Sequence, residues 1–166
     1  MGSDSGAAPG NVAMKRVYLI RHARARDRET WRRSDALRPL TPQGWAQAAA
    51  LPRLLGIPPK RILTSPATRC VETVIPLADA LGLRPLLSAS LAEGASAKRA
   101  LALLARPGVS PVAYCTHGDI IDRLLELLVE AGVHLPGGPR LAKGSTWVLD
   151  IDQRGRVRRA RYIPAP

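Results

Sequence analysis

The sequence predicts a single α/β domain with a mostly parallel central sheet flanked by helices. Short β-prone runs alternate with segments of helical length, which is the pattern of strands joined by crossover helices. Gly or Pro punctuates most of the junctions between them. A chain of 166 residues, 46% of them hydrophobic, is long enough to bury one real core.

The elements follow in order. Residues 1–13 are rich in small and polar residues and read as a flexible tail, leaving 14–166 as the domain. Val17-Tyr18-Leu19-Ile20 is a short apolar strand running into Arg21-His22. The polar segment from there to Leu40 reads as a loop or irregular helix. Thr41 and Pro42 are an N-cap and a first-turn proline, opening a helix to about Leu55 with Trp45, Ala48, Leu51 and Leu55 toward the core. Arg61 to Thr64 is a second strand, and a helix from Ser65-Pro66 runs to Leu81, stopped by Gly82. Residues 84–88 are a weak strand, and Ala97 to Leu104 a short helix. Val112 to Cys115 is a third clear strand, followed by Thr116-His117-Gly118-Asp119 and a helix over about 120–131. Thr146 to Ile151 and Val157 to Ile163 flank Asp152-Gln153-Arg154-Gly155 as a hairpin.

Composition narrows the function classes. Net charge is +12, from 25 Lys and Arg against 13 Asp and Glu, and lysine occurs only at 15, 60, 98 and 143. Abundant Arg, Ala, Pro and Gly together reflect GC-rich coding as readily as an anionic substrate, so the total charge alone decides nothing. Arg24, Arg26 and Arg28 either steer an anion or coat a solvated loop. The arginines between 154 and 161 fit an exposed edge strand, where charge discourages aggregation. Phe is absent and Trp and Tyr number three each, so no stacking platform for nucleic acid is visible. No apolar run reaches the roughly 18 residues of a membrane span, and the N-terminus lacks the apolar core of a secretory signal. Cys70 and Cys115 form no metal or disulfide pattern, which sets the expectation of a reduced, cytoplasmic protein with both thiols in the core. Cys115 stands beside the His117 motif and is a candidate for oxidation sensitivity.

Ligands of open α/β sheets bind outside the carboxyl ends of the strands. Two of the three histidines, His22 and His117, follow strands directly and fall at that edge, while His134 sits in a Gly/Pro loop. Arg21 adjoins His22, and Arg69 falls at the start of the helix after the second strand. Phosphoryl transfer to a side chain needs a nucleophile and cations around the phosphoryl oxygens. Two arginines and two imidazoles supply both, with no cluster of acids or histidines at metal-ligand spacing.

Four motifs in order carry a family resemblance: Leu19-Ile20-Arg21-His22-Ala23, Leu40-Thr41-Pro42-Gln43-Gly44, Ser65-Pro66-Ala67-Thr68-Arg69 with Glu72-Thr73, and Thr116-His117-Gly118. The chain resembles the histidine phosphatase superfamily, the group that includes cofactor-dependent phosphoglycerate mutase. Its size and Arg38-Pro39-Leu40-Thr41 most resemble the short SixA branch of phosphohistidine phosphatases. Ala23 stands where the family usually has glycine. Mutase activity is not expected, since mutases are longer and their Asn has no counterpart in residues 25–28.

The resemblance implies a phosphoglycerate mutase-like fold and a hydrolase with no cofactor and no metal. It implies His22 as the phosphorylated nucleophile, with Arg21, Arg69 and His117 forming the phosphate pocket. Arg38 matches a further pocket arginine, and Thr116 and Gly118 are expected to bind substrate. Glu93, in Leu91-Ala92-Glu93-Gly94, matches the family's acidic position and is the candidate general acid, with Asp27 and Asp119 as competitors. The expected substrate is a phosphohistidine on a protein, with a small phosphate ester or nucleotide as the alternative. The run from Arg69 to Ala78 resembles the phosphatase half of nudix-fusion proteins that act on nucleotides. A non-catalytic phospho-ligand or RNA-binding module is the rival from another class, and the intact pair of His22 and His117 argues against it.

Overall fold

A computed structural model describes residues 13–166. The expected N-terminal tail, but for its last residue, lies outside the described residues. The fold is a single α/β domain: a six-stranded mixed sheet in the order β3-β2-β4-β1-β5-β6 with four helices. The strands are β1 (Lys15–Arg21), β2 (Arg61–Thr64), β3 (Leu86–Leu87), β4 (Val112–Thr116), β5 (Thr146–Ile151) and β6 (Val157–Ile163). The helices are α1 (Pro42–Leu54), α2 (Thr68–Leu81), α3 (Ala97–Leu104) and α4 (Gly118–Glu130). β3, β2, β4 and β1 run parallel, whereas β5 and β6 are antiparallel additions.

Alternation along the strands builds two cores. Val17, Leu19, Val112 and Tyr114 face α3 and α4, where Leu104, Ile121, Leu124 and Leu128 cover them. Tyr18, Ile20, Ala113 and Cys115 face α1 and α2, meeting Leu51, Val74 and Leu77. Both faces of the central strands are therefore buried, as parallel strands require.

Local chemistry sets the boundaries. Thr41 caps α1, its Oγ1 accepting from Gly44 N–H at 3.0 Å. Gly82 closes α2 with a left-handed φ of 64°. In the β5–β6 turn Asp152 Oδ1 accepts from the N–H groups of Arg154 and Arg156. Two expectations are corrected. Trp45 is 38% exposed rather than turned to the core, because Gly44, Gln47, Ala48 and Leu51 form the buried face of α1. α2 begins at Thr68 with Ala67, in extended conformation, as its N-cap; Ser65 lies ahead of the helix, its Oγ accepting from Ala67 N–H at 3.3 Å and from His117 Nε2 at 2.8 Å.

Register fixes the functional edge. Arg21 pairs with Thr116 across β1 and β4, and Thr64 with Cys115 across β2 and β4. The next residues, His22, Ser65 and His117, thus emerge together at the carboxyl end of three neighbouring strands.

Candidate active site

His22 is 6% exposed and held by its backbone, its N–H donating to Thr116 O at 3.1 Å. Its Nδ1 lies 2.8 Å from the carbonyl of Ala23. A carbonyl only accepts, so Nδ1 carries the proton and Nε2 keeps its lone pair. Ala23 is anchored in turn, its N–H donating to Thr73 Oγ1 at 2.9 Å while that hydroxyl donates to Arg69 O at 2.6 Å. Burial is the main reason the His22 pKa falls to about 3; the Ala23 carbonyl opposes this, and His117, Arg69 and Arg21 reinforce it.

Arg69, 1% exposed, lies at the junction of the site. Its Nη2 donates to Glu93 Oε2 at 3.0 Å and to His117 Nδ1 at 3.3 Å, and lies 3.2 Å from Asp35 Oδ2. Nη1 donates to Asp35 O at 2.9 Å. Because Nη2 can only donate, His117 Nδ1 accepts, and Nε2 donates to Ser65 Oγ at 2.8 Å. Cys70 Sγ also lies 3.5 Å from His117 Nε2. It is Cys70, and not the neighbouring Cys115, that touches this histidine.

Arg21 extends across Gly118, its Nη1 donating to Leu141 O. A Cβ on Gly118 would lie 2.7 Å from Arg21 Nη2 and 2.8 Å from its Cζ, so only glycine leaves this path clear. Nε of Arg21 and Nε of Arg69 are both buried and have no hydrogen-bond partner among the described residues. Buried donors without acceptors are rare in folded proteins, which sets these two arginines apart.

The site opens into a cleft of about 1320 Å³ whose walls include Arg21, His22, Arg38, Glu93, Gly118 and Asp119. Arg38 is 5% exposed, with Nε donating to Asp35 Oδ1 at 2.9 Å and Nη1 to Arg26 O at 2.6 Å. Glu93 meets two arginines at once, its Oε1 accepting from Arg28 Nη2 at 2.9 Å and its Oε2 from Arg69. Asp119 Oδ2 accepts from Gly94 N–H at 2.8 Å, and Asp27 Oδ1 from Glu29 N–H at 2.8 Å. Among the described residues no three His, Cys, Asp or Glu side chains converge to hold a metal ion.

The expected site residues are thus brought to one sheet edge, with one correction. Thr116 is fully buried and its hydroxyl donates to Leu91 O at 2.7 Å, away from His22; like Arg69 and His117, each 1% exposed, it is not part of the cleft wall. Its side chain ties β4 to the segment before Glu93, and its carbonyl positions His22. Asp35 is the residue sequence reasoning missed. Burial pushes its carboxyl up, but the guanidinium groups of Arg38, Arg69 and Arg28 outweigh burial and hold it below the usual carboxylate range. The signal was present as Asp35 three residues before Arg38, the spacing of an ion pair across one turn.

With this geometry in view, comparison with known proteins decides the family. The profile of the histidine phosphatase superfamily (branch 1) matches residues 17–99. The chain belongs to this superfamily. The matched stretch holds Arg21, His22, Arg38, Arg69 and Glu93, and His117 joins them through the β1–β4 register. The solved SixA structure from Agrobacterium tumefaciens, assigned as a phosphohistidine phosphatase, is 30% identical with a TM-score of 0.70, covering 92% of this chain and 99% of that one. A protein histidine phosphatase SixA complexed with tungstate shares the fold at a TM-score of 0.71 and 23% identity, covering 90% of this chain and 94% of that one. A curated 8-oxo-(d)GTP phosphatase of Mycolicibacterium smegmatis is 34% identical over 163 residues, 93% of this chain. The chain spans half the length of that relative. Within the superfamily, then, this chain is similar both to phosphohistidine phosphatases and to part of a nucleotide phosphatase. No helix among the described residues is long and apolar enough to cross a membrane.

Proposed function

We propose that the protein is a phosphatase that needs no metal, passing a phosphoryl group to His22 Nε2 and then to water. The observation that carries this reading is the Nδ1–H bond of His22 to the Ala23 carbonyl, which leaves Nε2 bare for attack. The guanidinium groups of Arg21 and Arg69, whose Nε atoms have no partner among the described residues, are the proposed donors to the phosphoryl oxygens, and their charge opposes the negative charge of the transferring group. Arg38 adds a further cation, at the cleft wall. His117, with both ring nitrogens engaged by Arg69 and Ser65, acts by holding Arg69 in place.

Glu93 takes a different role from the one its sequence position implies. Both of its oxygens accept from arginines, Oε1 from Arg28 and Oε2 from Arg69, a geometry that suits positioning of Arg69. The proposed substrates are therefore phosphoryl compounds whose leaving group departs without an acid from Glu93. A protein phosphohistidine with a protonated imidazole meets that condition, and the likeness to SixA favours it. A phosphoanhydride meets it too, and the 34% identity to the 8-oxo-(d)GTP phosphatase supports that second reading. The testing experiment is a screen of phosphohistidine peptide, nucleotides, sugar phosphates and p-nitrophenyl phosphate in chelator, with rapid quench to trap labelled protein. Turnover with an acid-labile, base-stable phosphoprotein is the expected result. Turnover that requires added Mg²⁺ or Zn²⁺ would contradict it.

A further inference from the structure

The cleft holds more positive charge than one phosphoryl group requires. Arg28 and Arg38 are paired with Asp35 and Glu93. Arg24, Arg26 and Lys143 line the same cleft, are exposed, and have no carboxylate at ion-pair distance among the described residues. Lys143 registers the crowding: burial first, then Arg21, Arg38, Arg24 and Arg28, lower its pKa.

Their backbone is fixed although their side chains are free. Arg24 N–H donates to Gln47 Oε1 at 3.0 Å, and Arg24 O accepts from Thr41 N–H at 2.9 Å. Arg26 N–H donates to Pro39 O at 2.9 Å. Gln47 Nε2 donates to Lys143 O at 3.2 Å, so one buried amide ties both sides of the cluster together. Gly44 makes the close approach possible, since a Cβ there would lie 2.0 Å from Arg24 O. Ala23 and Ala25 are buried while Arg24 and Arg26 are exposed, the alternation that puts both arginines on the cleft face. A solvated loop has no need of such anchoring.

We infer that Arg24, Arg26 and Lys143 form a second anion subsite beside His22, and that it seats the departing phosphate of a phosphoanhydride such as a nucleoside di- or triphosphate. This rests on the phosphoenzyme reading above. In the first step the Nε2 lone pair of His22 bonds to the terminal phosphorus. The bond from that phosphorus to the bridging oxygen breaks, and its electron pair stays on the oxygen of the departing phosphate. That group leaves as an anion and needs no proton from Glu93, both of whose oxygens are taken up by arginines, while the subsite cations offset the charge it gains. Water then attacks phosphorus, the N–P pair returns to Nε2, and the water proton passes to solvent through the open cleft.

The test compares ADP, AMP, inorganic pyrophosphate, a phosphohistidine peptide and p-nitrophenyl phosphate in chelator, using the full chain and its R24Q/R26Q/K143Q variant. For wild type, kcat/KM for ADP should exceed that for AMP by about 10² or more, with pyrophosphate also cleaved. The variant should raise KM for ADP roughly tenfold or more and leave p-nitrophenyl phosphate turnover unchanged. The inference is overturned if ADP is no better than AMP, if the variant slows both substrates equally, or if only the phosphohistidine peptide is a good substrate. Turnover of p-nitrophenyl phosphate without ADP cleavage removes the subsite and leaves the phosphatase reading standing. No turnover of any substrate removes both.

Discussion

The rings of His22 and His117 lie 5.4 Å apart at an interplanar angle of 66°. The pairing of Arg21 with Thr116 creates this arrangement, because residues following two registered parallel strands leave the sheet at the same level. The two histidines differ in what they have left to offer. His117 is engaged at both nitrogens, whereas His22 keeps Nε2 free.

The pH dependence follows from the burial of neutral His22. A pKa lowered to about 3 keeps the imidazole unprotonated, and so nucleophilic, throughout the neutral range. The acid limb of kcat/KM should therefore show no inflection from His22 near 6.5. Stability carries the matching sign. The unfolded chain binds a proton below its ordinary value of about 6.5 while the folded chain does not, so between there and about 3 this group makes stability fall as pH falls. The slope is at most about 1.4 kcal/mol per pH unit. Urea titrations at pH 4.5 and 7 should show a smaller difference for His22→Asn than for wild type; equal differences would place the His22 pKa near its ordinary value.

Arg21→Ala and Arg69→Ala should each lower kcat by about two orders of magnitude or more, as loss of a charge-stabilising donor does. Lysine should rescue poorly at either position, since it lacks the Nε that is unpartnered here and the planar fork that grips two oxygens. Steady-state kinetics on p-nitrophenyl phosphate reads this directly, and a lysine variant with wild-type turnover would remove that arginine from the phosphoryl contact.

Gly118→Ala should displace the Arg21 guanidinium, which would stand 2.7 Å from the new methyl group. The expected result is roughly tenfold or greater loss of kcat/KM with a thermal midpoint close to wild type, since Arg21 can swing toward the cleft. Unchanged kinetics would mean that the packing on Gly118 does not set the position of Arg21.

The parallel half of the fold and the edge where the site forms were legible because they depend on local signals. Thr41-Pro42 announces a helix, and strand-ending Arg21-His22 and Cys115-Thr116-His117 announce a ligand edge. Side-chain destinations were less legible. Thr116 belongs to the His117 motif, yet strand alternation turns its hydroxyl to Leu91 O. Asp35 sits in a stretch without hydrophobic periodicity, so its convergence with Arg28, Arg38 and Arg69 appears only when the chain folds back. Glu93 was found by position, but its two arginine partners are 65 and 24 residues away in sequence, and they fix where its carboxyl group points.

Glu93→Gln separates the positioning role from the acid role. The account expects less than tenfold loss of turnover on p-nitrophenyl phosphate or ADP, and slow cleavage of alkyl phosphates by wild type and variant alike. A loss of roughly 10²–10⁴-fold confined to alkyl phosphates would instead make Glu93 the general acid.

The central claim is a phosphoryl group on His22. Wild type and His22→Ala should be mixed with ³²P-labelled substrate in chelator, quenched within milliseconds, and the protein tested for label. Wild type is expected to carry a phosphoprotein that is stable in base, lost in acid, and located by mass spectrometry on the peptide containing His22. His22→Ala is expected to fold, carry no label and release no phosphate. Substantial phosphate release by His22→Ala, or label on any other residue in wild type, would contradict the account.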